Sequence, residues 1–173
     1  MGMIVLQKVI EAKTGQTLDV FLSEYLYKPL GMTHTGFNPP ETLRDNIAPT
    51  EFDAERGGIV HGKVHDENAW YLGGVSGNAG LFSTARDLGI FAQMLLNKGS
   101  YRGKQYFKPE TVKIFTKRQN IVKGSDRALG WGAPGGKSSS GRYFSENSIG
   151  HTGFTGTSIW IDFDKQLAGI LLT

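Results

Sequence analysis

A chain of 173 residues is long enough for one domain with a buried core. Its 39% hydrophobic and 20% charged residues fit a globular protein rather than a disordered one, and a net charge of +3 without any Lys/Arg run gives no reason to expect a nucleic-acid partner. The absence of cysteine excludes disulfides, thiolate catalysis and Cys-ligated zinc; no apolar run is long enough for a membrane segment, and the N-terminus lacks the charged and apolar regions of a signal peptide.

The first stretch, "MGMIVLQKVIEAKTGQ" (1–16), carries Ile4, Val5, Val9 and Ile10 at helical spacing, with Gly15 placed to close the helix. No Ser, Thr, Asp or Asn precedes it as a start signal, so the true beginning is expected upstream. A second helix is predicted over "LDVFLSEYLY" (18–27), with Thr17 as its cap and Pro29 as its stop. From Pro29 to about Asn68 the chain reads as long irregular loop. Within it, His61 and His65 form H-x-x-x-H, a helical zinc pattern. Gly57, Gly58 and Gly62 argue against a helix there, and no Glu follows His61 as a general base. The better reading is a His–Asp pair, with Asp66, fastening the loop, and no metal is expected.

"LGGVSGNAGLFS" (72–83) has G-x-x-G-x-x-G spacing without a following Lys-Ser/Thr, so it reads as a tight loop delivering a helix rather than a phosphate cradle. Ser76 in "GVSGN" fails as a nucleophile elbow, since Asn78 stands where glycine is needed. Thr84 and Asp87 form a capping box for a helix over 83–99, with Leu88, Phe91, Ala92 and Leu95 on one apolar face and Gly99 at its end. Pro109 starts another, "PETVKIFTKRQ", with Val112 and Phe115 inward, and 124–142 is Gly/Ser-rich loop with short extended pieces. "SIGHTG", "TSIWIDF" and "LAGILLT" then read as three β-segments, the last two joined by the hairpin-like "DFDKQ" (162–166). Helices followed by an antiparallel meander predict an α+β fold. Because "LAGILLT" (167–173) stops without an exit turn, the chain is expected to be a fragment of a longer protein.

One short stretch is dense in chemistry. In "GHTGFTGTSIW" (150–160), strand alternation puts Ile149 and His151 on one face and Gly150 and Thr152 on the other. Gly153 removes a side chain where something must come close to the backbone. Two readings stand. In one, the Phe154 N–H donates into an oxyanion hole while His151 binds a substrate carboxylate or serves a serine proton relay. In the other, glycines simply end a strand and neighbours satisfy His151.

"GHTGFTGTSIWID" resembles the third signature of the serine β-lactamase, DD-peptidase and esterase superfamily, in which a K-T-G or H-T-G triplet lies on the strand walling the active site. "VIEAKTGQTLDVFLSEYLYKPLGMTHTGF" and "VHDENAWYLGGVSGNAGLFSTARDLGIFAQMLLNKG" are similar to the helix pair and to the loop and helix of its class C-like branch, in the same order. The resemblance covers nearly the whole chain and implies a β-lactamase/DD-peptidase-like α+β fold with an incomplete sheet. Two family motifs, the nucleophile S-x-x-K and the Y-S-N or Y-A-N triplet, are absent from this sequence. For the intact protein the resemblance implies acyl transfer, in which a serine activated by lysine and tyrosine attacks an ester, amide or β-lactam carbonyl. His151 would stand in the place of the K-T-G lysine, Phe154 would lend its N–H to the oxyanion hole, and Thr152 and Gly153 would border a substrate lying along the strand. A histidine there carries a pH-dependent charge, which points to an esterase or a penicillin-binding-type peptidase rather than a dedicated β-lactamase. The implied partner is a small-molecule or peptidoglycan-like substrate, with no cofactor. The family habit alone points to a periplasmic or extracytoplasmic location. Two expectations accompany this reading: this chain is inactive alone, and it forms a homodimer through the open edge at 167–173. The alternative is a non-catalytic cell-wall or peptide-binding module that kept the fold.

Overall fold

A computed structural model describes residues 1–135 and 138–173. Gly136 and Lys137, inside the loop expected over 124–142, lie outside the described residues. The chain divides into two compact units, Met1–Asp87 and Leu88–Thr173.

The first unit opens with α1 (Gly2–Thr14), closed by Gly15 at φ 69° with its N–H on the Glu11 carbonyl. The buried residue of α1 is the polar Gln7, while Val5, Leu6 and Val9 are exposed. Gln7 joins the helix to the glycine loop: its Nε2 donates to Glu11 (2.9 Å) and to the Val75 carbonyl (3.2 Å), and its Oε1 accepts from the Gly77 N–H (3.0 Å). A Cβ on Gly77 would lie 2.2 Å from the Met3 carbonyl oxygen, so the loop lies against the helix backbone. Hydrogen bonds from Lys8 and then Gln7 hold the Glu11 carboxyl below its usual range.

Helix α2 (Leu18–Leu22) starts at Thr17, as expected, but Thr17 makes no side-chain cap bond; the Leu18 N–H donates instead to the Glu11 carboxylate, 3.3 Å away. Pro29 does not stop the helix. The chain widens into a π-turn over Ser23–Tyr27, in which the Lys28 N–H reaches five residues back to Ser23, and continues as α3 (Lys28–Leu30) to Gly31. Proline stands in the first turn of α3, where its missing N–H is tolerated. Burial pushes the Tyr27 hydroxyl up to about 12.

The region expected as plain loop contains short elements. These are β1 (Gly36–Phe37), a 3-10 turn over Glu41–Asn46, the antiparallel pair β2 (Phe52–Asp53) and β3 (Gly58–Ile59), and α4 (Glu67–Tyr71). Strand β1 pairs with β4 (Leu81–Phe82) ahead of α5 (Ala85–Leu96), whose first turn ends the unit. The Thr84 hydroxyl accepts from the Asp87 N–H (3.2 Å), half of the expected capping box. The buried Asp87 carboxylate turns elsewhere, accepting from the His34 N–H (2.7 Å) and the Thr35 hydroxyl (2.8 Å).

In the second unit, α5 buries Ala92 and Leu95 as expected, together with Met94 and Leu96, while Leu88 and Phe91 are half-buried. A small hairpin of β5 (Ser100–Tyr101) and β6 (Lys104–Gln105) precedes α6 (Pro109–Thr116). Val112 is buried, but Phe115 is exposed, contrary to the expected inward face: eight residues give α6 one buried turn and no second apolar contact row. The expected meander is present as β7 (Ser148–Thr152), β8 (Ser158–Asp162) and β9 (Leu167–Leu171), paired antiparallel in that order. The fold is α+β.

Candidate active-site strand

Strand β7 runs from core to surface: Ser148, Ile149 and Gly150 are buried, while His151 and Thr152 are exposed. Opposite β8, the register pairs Ile149 with Ile161, Gly150 with Trp160 and His151 with Ile159. On the other edge, Gly150 exchanges both backbone hydrogen bonds with Gly132, at 2.8 and 2.9 Å. Backbone direction alternates along a strand, so the N–H and C=O of Thr152 share that outer edge with those of Gly150. The bridge to this edge ends at Gly150, and Thr152 extends it beyond Gly132.

Gly150 is required by its partner. A Cβ there would lie 2.2 Å from Cδ2 of Trp160, whose indole covers the strand backbone and lies tilted at 44° to Phe144, 6.0 Å between ring centres. Trp160 is buried, and its Nε1 has no hydrogen-bond partner among the described residues. The far end of β7 turns sharply. The Gly153 N–H donates to the Thr157 carbonyl (2.7 Å), and the Gly153 carbonyl accepts from the Gly156 N–H (3.2 Å). Gly156 has φ 99°, the left-handed geometry that closes such hairpins. The space next to Gly153 holds the Thr157 hydroxyl, 2.2 Å from where a Cβ would stand. Phe154 sits at the hairpin tip with its ring 90% exposed.

The His151 Nδ1 lies 2.7 Å from the Thr152 carbonyl oxygen. A carbonyl only accepts, so Nδ1 carries a proton and donates it to this bond. Beside this end of β7 is a surface cavity of about 150 Å³ lined by Asp126, Arg127, Gly132, His151, Thr152 and Trp160, among others. The arrangement offers an imidazole, the strand edge at Thr152 whose carbonyl that imidazole bonds, and an arginine around one small volume.

The other end of the sheet is fastened by Asp162. This buried carboxylate accepts from the Ser145 N–H (2.9 Å), the Ser145 hydroxyl (2.7 Å) and the N–H groups of Asp164 and Lys165 (3.0 Å each). Burial pushes its pKa up, and these donors, led by the Ser145 and Lys165 N–H groups, outweigh it and hold the carboxyl at about 2. Asp162 pairs in register with Ser148, so it ties Ser145 to the start of β7.

The remaining candidates are structural. Ser76 is buried and its hydroxyl donates to the Asn78 side chain (2.6 Å). His61 Nε2 donates to the Ile47 carbonyl (2.7 Å), and its Nδ1 accepts from Arg44 (3.4 Å). His65 pairs with Glu51 at 2.6 Å rather than with Asp66, which instead caps α4 through the Ala69 N–H (2.8 Å). Histidines fastening a loop were expected; the partner of His65 differs because Asp66 is taken up by the helix start. Among the described residues no group of three or more His, Cys, Asp or Glu could hold a metal ion, and no helix is long and apolar enough to cross a membrane. Gly132, Trp160, Asp126 and Arg127 were not singled out in the sequence. The hairpin at 153–157 fixes the register that sets Trp160 opposite Gly150, but nothing in "GWGAPGG" signals that Gly132 bonds to β7.

Comparison with known proteins points one way. The model of the family described as "Beta-lactamase" matches residues 1–173. A protein of Escherichia coli O157:H7 named as a D-alanyl-D-alanine carboxypeptidase is 40% identical over 182 residues, covering 95% of this chain and 42% of that protein. A protein of Bacillus subtilis strain 168 named N-acetylmuramyl-L-alanine amidase is 41% identical over 192 residues, covering 99% of this chain and 42% of that protein. The chain thus spans well under half the length of these relatives. The crystal structure of a β-lactamase from Mycobacterium bovis superposes with a TM-score of 0.68 at 22% identity, over 99% of this chain and 54% of that one, a likeness of fold.

Proposed function

The chain belongs to the β-lactamase family, and on that premise we propose that it is the C-terminal part of a serine hydrolase domain that forms an acyl-enzyme on ester, amide or β-lactam carbonyls. The observation that carries this reading is the end of β7, where His151 and the Thr152 strand edge emerge from the sheet beside a polar cavity. His151 acts as the hydrogen-bonding group next to the serine relay. The Phe154 N–H supplies one oxyanion-hole donor, and Thr152 and Gly153 border the bound substrate. Neither S-x-x-K nor Y-x-N occurs in the 173 residues, so the nucleophile comes from the rest of the protein and this chain is inactive alone. The relative named as a D-alanyl-D-alanine carboxypeptidase supports a peptidoglycan-like substrate. Among the described residues strand β9 pairs with β8 alone, and it exposes Leu167 and Leu171; that edge supports association of two copies, which sedimentation of this chain tests, a lone monomer at high concentration refuting it.

A fluorophosphonate or labelled penicillin is expected to modify the full-length protein and leave this chain untouched. Labelling of this chain refutes the assignment of the nucleophile, and a full-length protein that takes neither probe nor hydrolyses esters returns the fold to a binding module. In the full-length enzyme His151→Ala lowers kcat/KM on esters at least about tenfold, roughly 1.4 kcal/mol of transition-state stabilisation. An unchanged rate removes His151 from the mechanism.

A further inference from the structure

Charge is unevenly divided along this chain. Residues 1–87 carry a net charge of −4 and residues 88–173 a net charge of +7. The four ion pairs found among the described residues all lie in the first unit, so the positive charge of the second is not cancelled by pairing there. It is concentrated between Phe107 and Lys123, where Lys108, Lys113, Lys117, Arg118 and Lys123 face a single acidic residue, Glu110. Three of these cations, Lys113, Lys117 and Arg118, rim one surface cavity of about 190 Å³, with Glu146 as the carboxylate at its border.

The same segment leaves large apolar side chains in solvent. Ile114 is 56% exposed and Phe115 50%, both on α6, and Ile121 and Val122 just beyond it are 83% and 67% exposed. Ile114 stands two residues from the buried Val112, on the opposite side of the helix, so burying it against its own unit would require turning Val112 out. Each of these apolar groups has a lysine or arginine within four residues.

We propose that this segment, 107–123, is a peripheral docking surface for a bilayer containing anionic phospholipid. Lysines interleaved with exposed isoleucine and phenylalanine match the chemistry of a membrane interface, where apolar groups enter the acyl boundary and cations meet the headgroup phosphates. A protein partner fits less well, because interface cores are depleted in lysine. A soluble polyanion would engage the cations and leave Ile114 and Ile121 in water. The mode is lying on the surface, without a spanning helix.

Flotation of this chain with vesicles tests it. Binding is expected to vesicles of mixed phosphatidylcholine and phosphatidylglycerol and not to phosphatidylcholine alone, and to fall away as salt is raised from about 0.1 to 1 M, which shortens the Debye length from roughly 10 to 3 Å. Each of Lys113→Gln, Lys117→Gln and Lys123→Gln should weaken binding about fivefold, the worth of about 1 kcal/mol per cation. Ile114→Ser with Ile121→Ser should weaken it at full charge. Lys28→Gln with Lys63→Gln, in the first unit, should change nothing. All these side chains are exposed, and an unchanged circular dichroism spectrum shows the variants folded. Failure to float with anionic vesicles overturns the proposal. So does binding indifferent to the serine variants and matched by polyphosphate in solution, which makes the segment a polyanion site.

Discussion

Replacing Asp162 by Asn tests how the strand that carries His151 is held in place. The carboxylate gathers four donors, and these lower its pKa from an ordinary 3.8 to about 2. A group whose pKa is lowered on folding stabilises the fold above its unfolded pKa and stops doing so as the pH falls through its folded value. The shift corresponds to about 2 kcal/mol at neutral pH, falling to about half of that at pH 3. The amide keeps the shape but loses the charge and sets an NH₂ against the Ser145 N–H or the loop N–H groups. Asp162→Asn should therefore be less stable than the parent by about 2 kcal/mol or somewhat more at pH 7, with the gap narrowing steadily between pH 5 and pH 3. Urea unfolding of the two proteins, followed by tryptophan fluorescence and circular dichroism across that range, measures it. A gap that stays constant with pH would show that Asp162 acts by shape alone and that the pKa argument is wrong.

Gly150→Ala should destabilise the second unit by about 1–3 kcal/mol, because its methyl meets the Trp160 indole and the ring must move; a shift in tryptophan emission together with the loss reports that the ring moved, and an unperturbed spectrum with full stability refutes it. Gln7→Ala strips the Gly77 N–H of its acceptor and should cost about 1–3 kcal/mol, whereas Val5→Ala on the exposed side of the same helix should stay within about 0.5 kcal/mol. Equal losses from the two would mean that α1 is held by its apolar side and not by Gln7.

What the sequence made legible followed local rules. The meander was readable from β-type runs and a turn, and α5 from its capping box and apolar face. What it hid was set by partners distant in the chain. Pro29 looks like a helix stop until the π-turn over Ser23–Tyr27 sets it in the first turn of α3, where its missing N–H is tolerated, and Phe115 looks like core because periodicity says nothing about how short α6 is. The buried residue of α1 is Gln7, which no hydrophobic pattern selects, since it is buried to serve a backbone loop about seventy residues away. The site shows the same division. His151 stood out as a residue type, but Gly132, Arg127 and the indole of Trp160 join it only through register and loop path, which one sequence does not display.

The structure also separates what must be conserved in the triplet from what can vary. Gly150 is fixed by the Trp160 indole, and Gly153 by the hairpin that returns the chain at Thr157. Thr152 contributes its backbone to an edge already begun by the Gly132–Gly150 bridge. These constraints act on backbone position, and they hold whichever side chain occupies position 151. The His151 side chain projects at the exposed end of the strand and bonds the carbonyl of its own neighbour, Thr152. Exchange between histidine and lysine at this position therefore changes the chemistry of the site at little cost to the fold, and His151→Lys should leave stability within about 0.5 kcal/mol of the parent. Under the proposed function the same exchange, in the full-length enzyme, should lower kcat/KM on esters, because lysine puts a flexible ammonium with donors alone where the planar imidazole stands. A kcat/KM unchanged by the exchange would mean that the identity of the side chain at position 151 plays no part in catalysis.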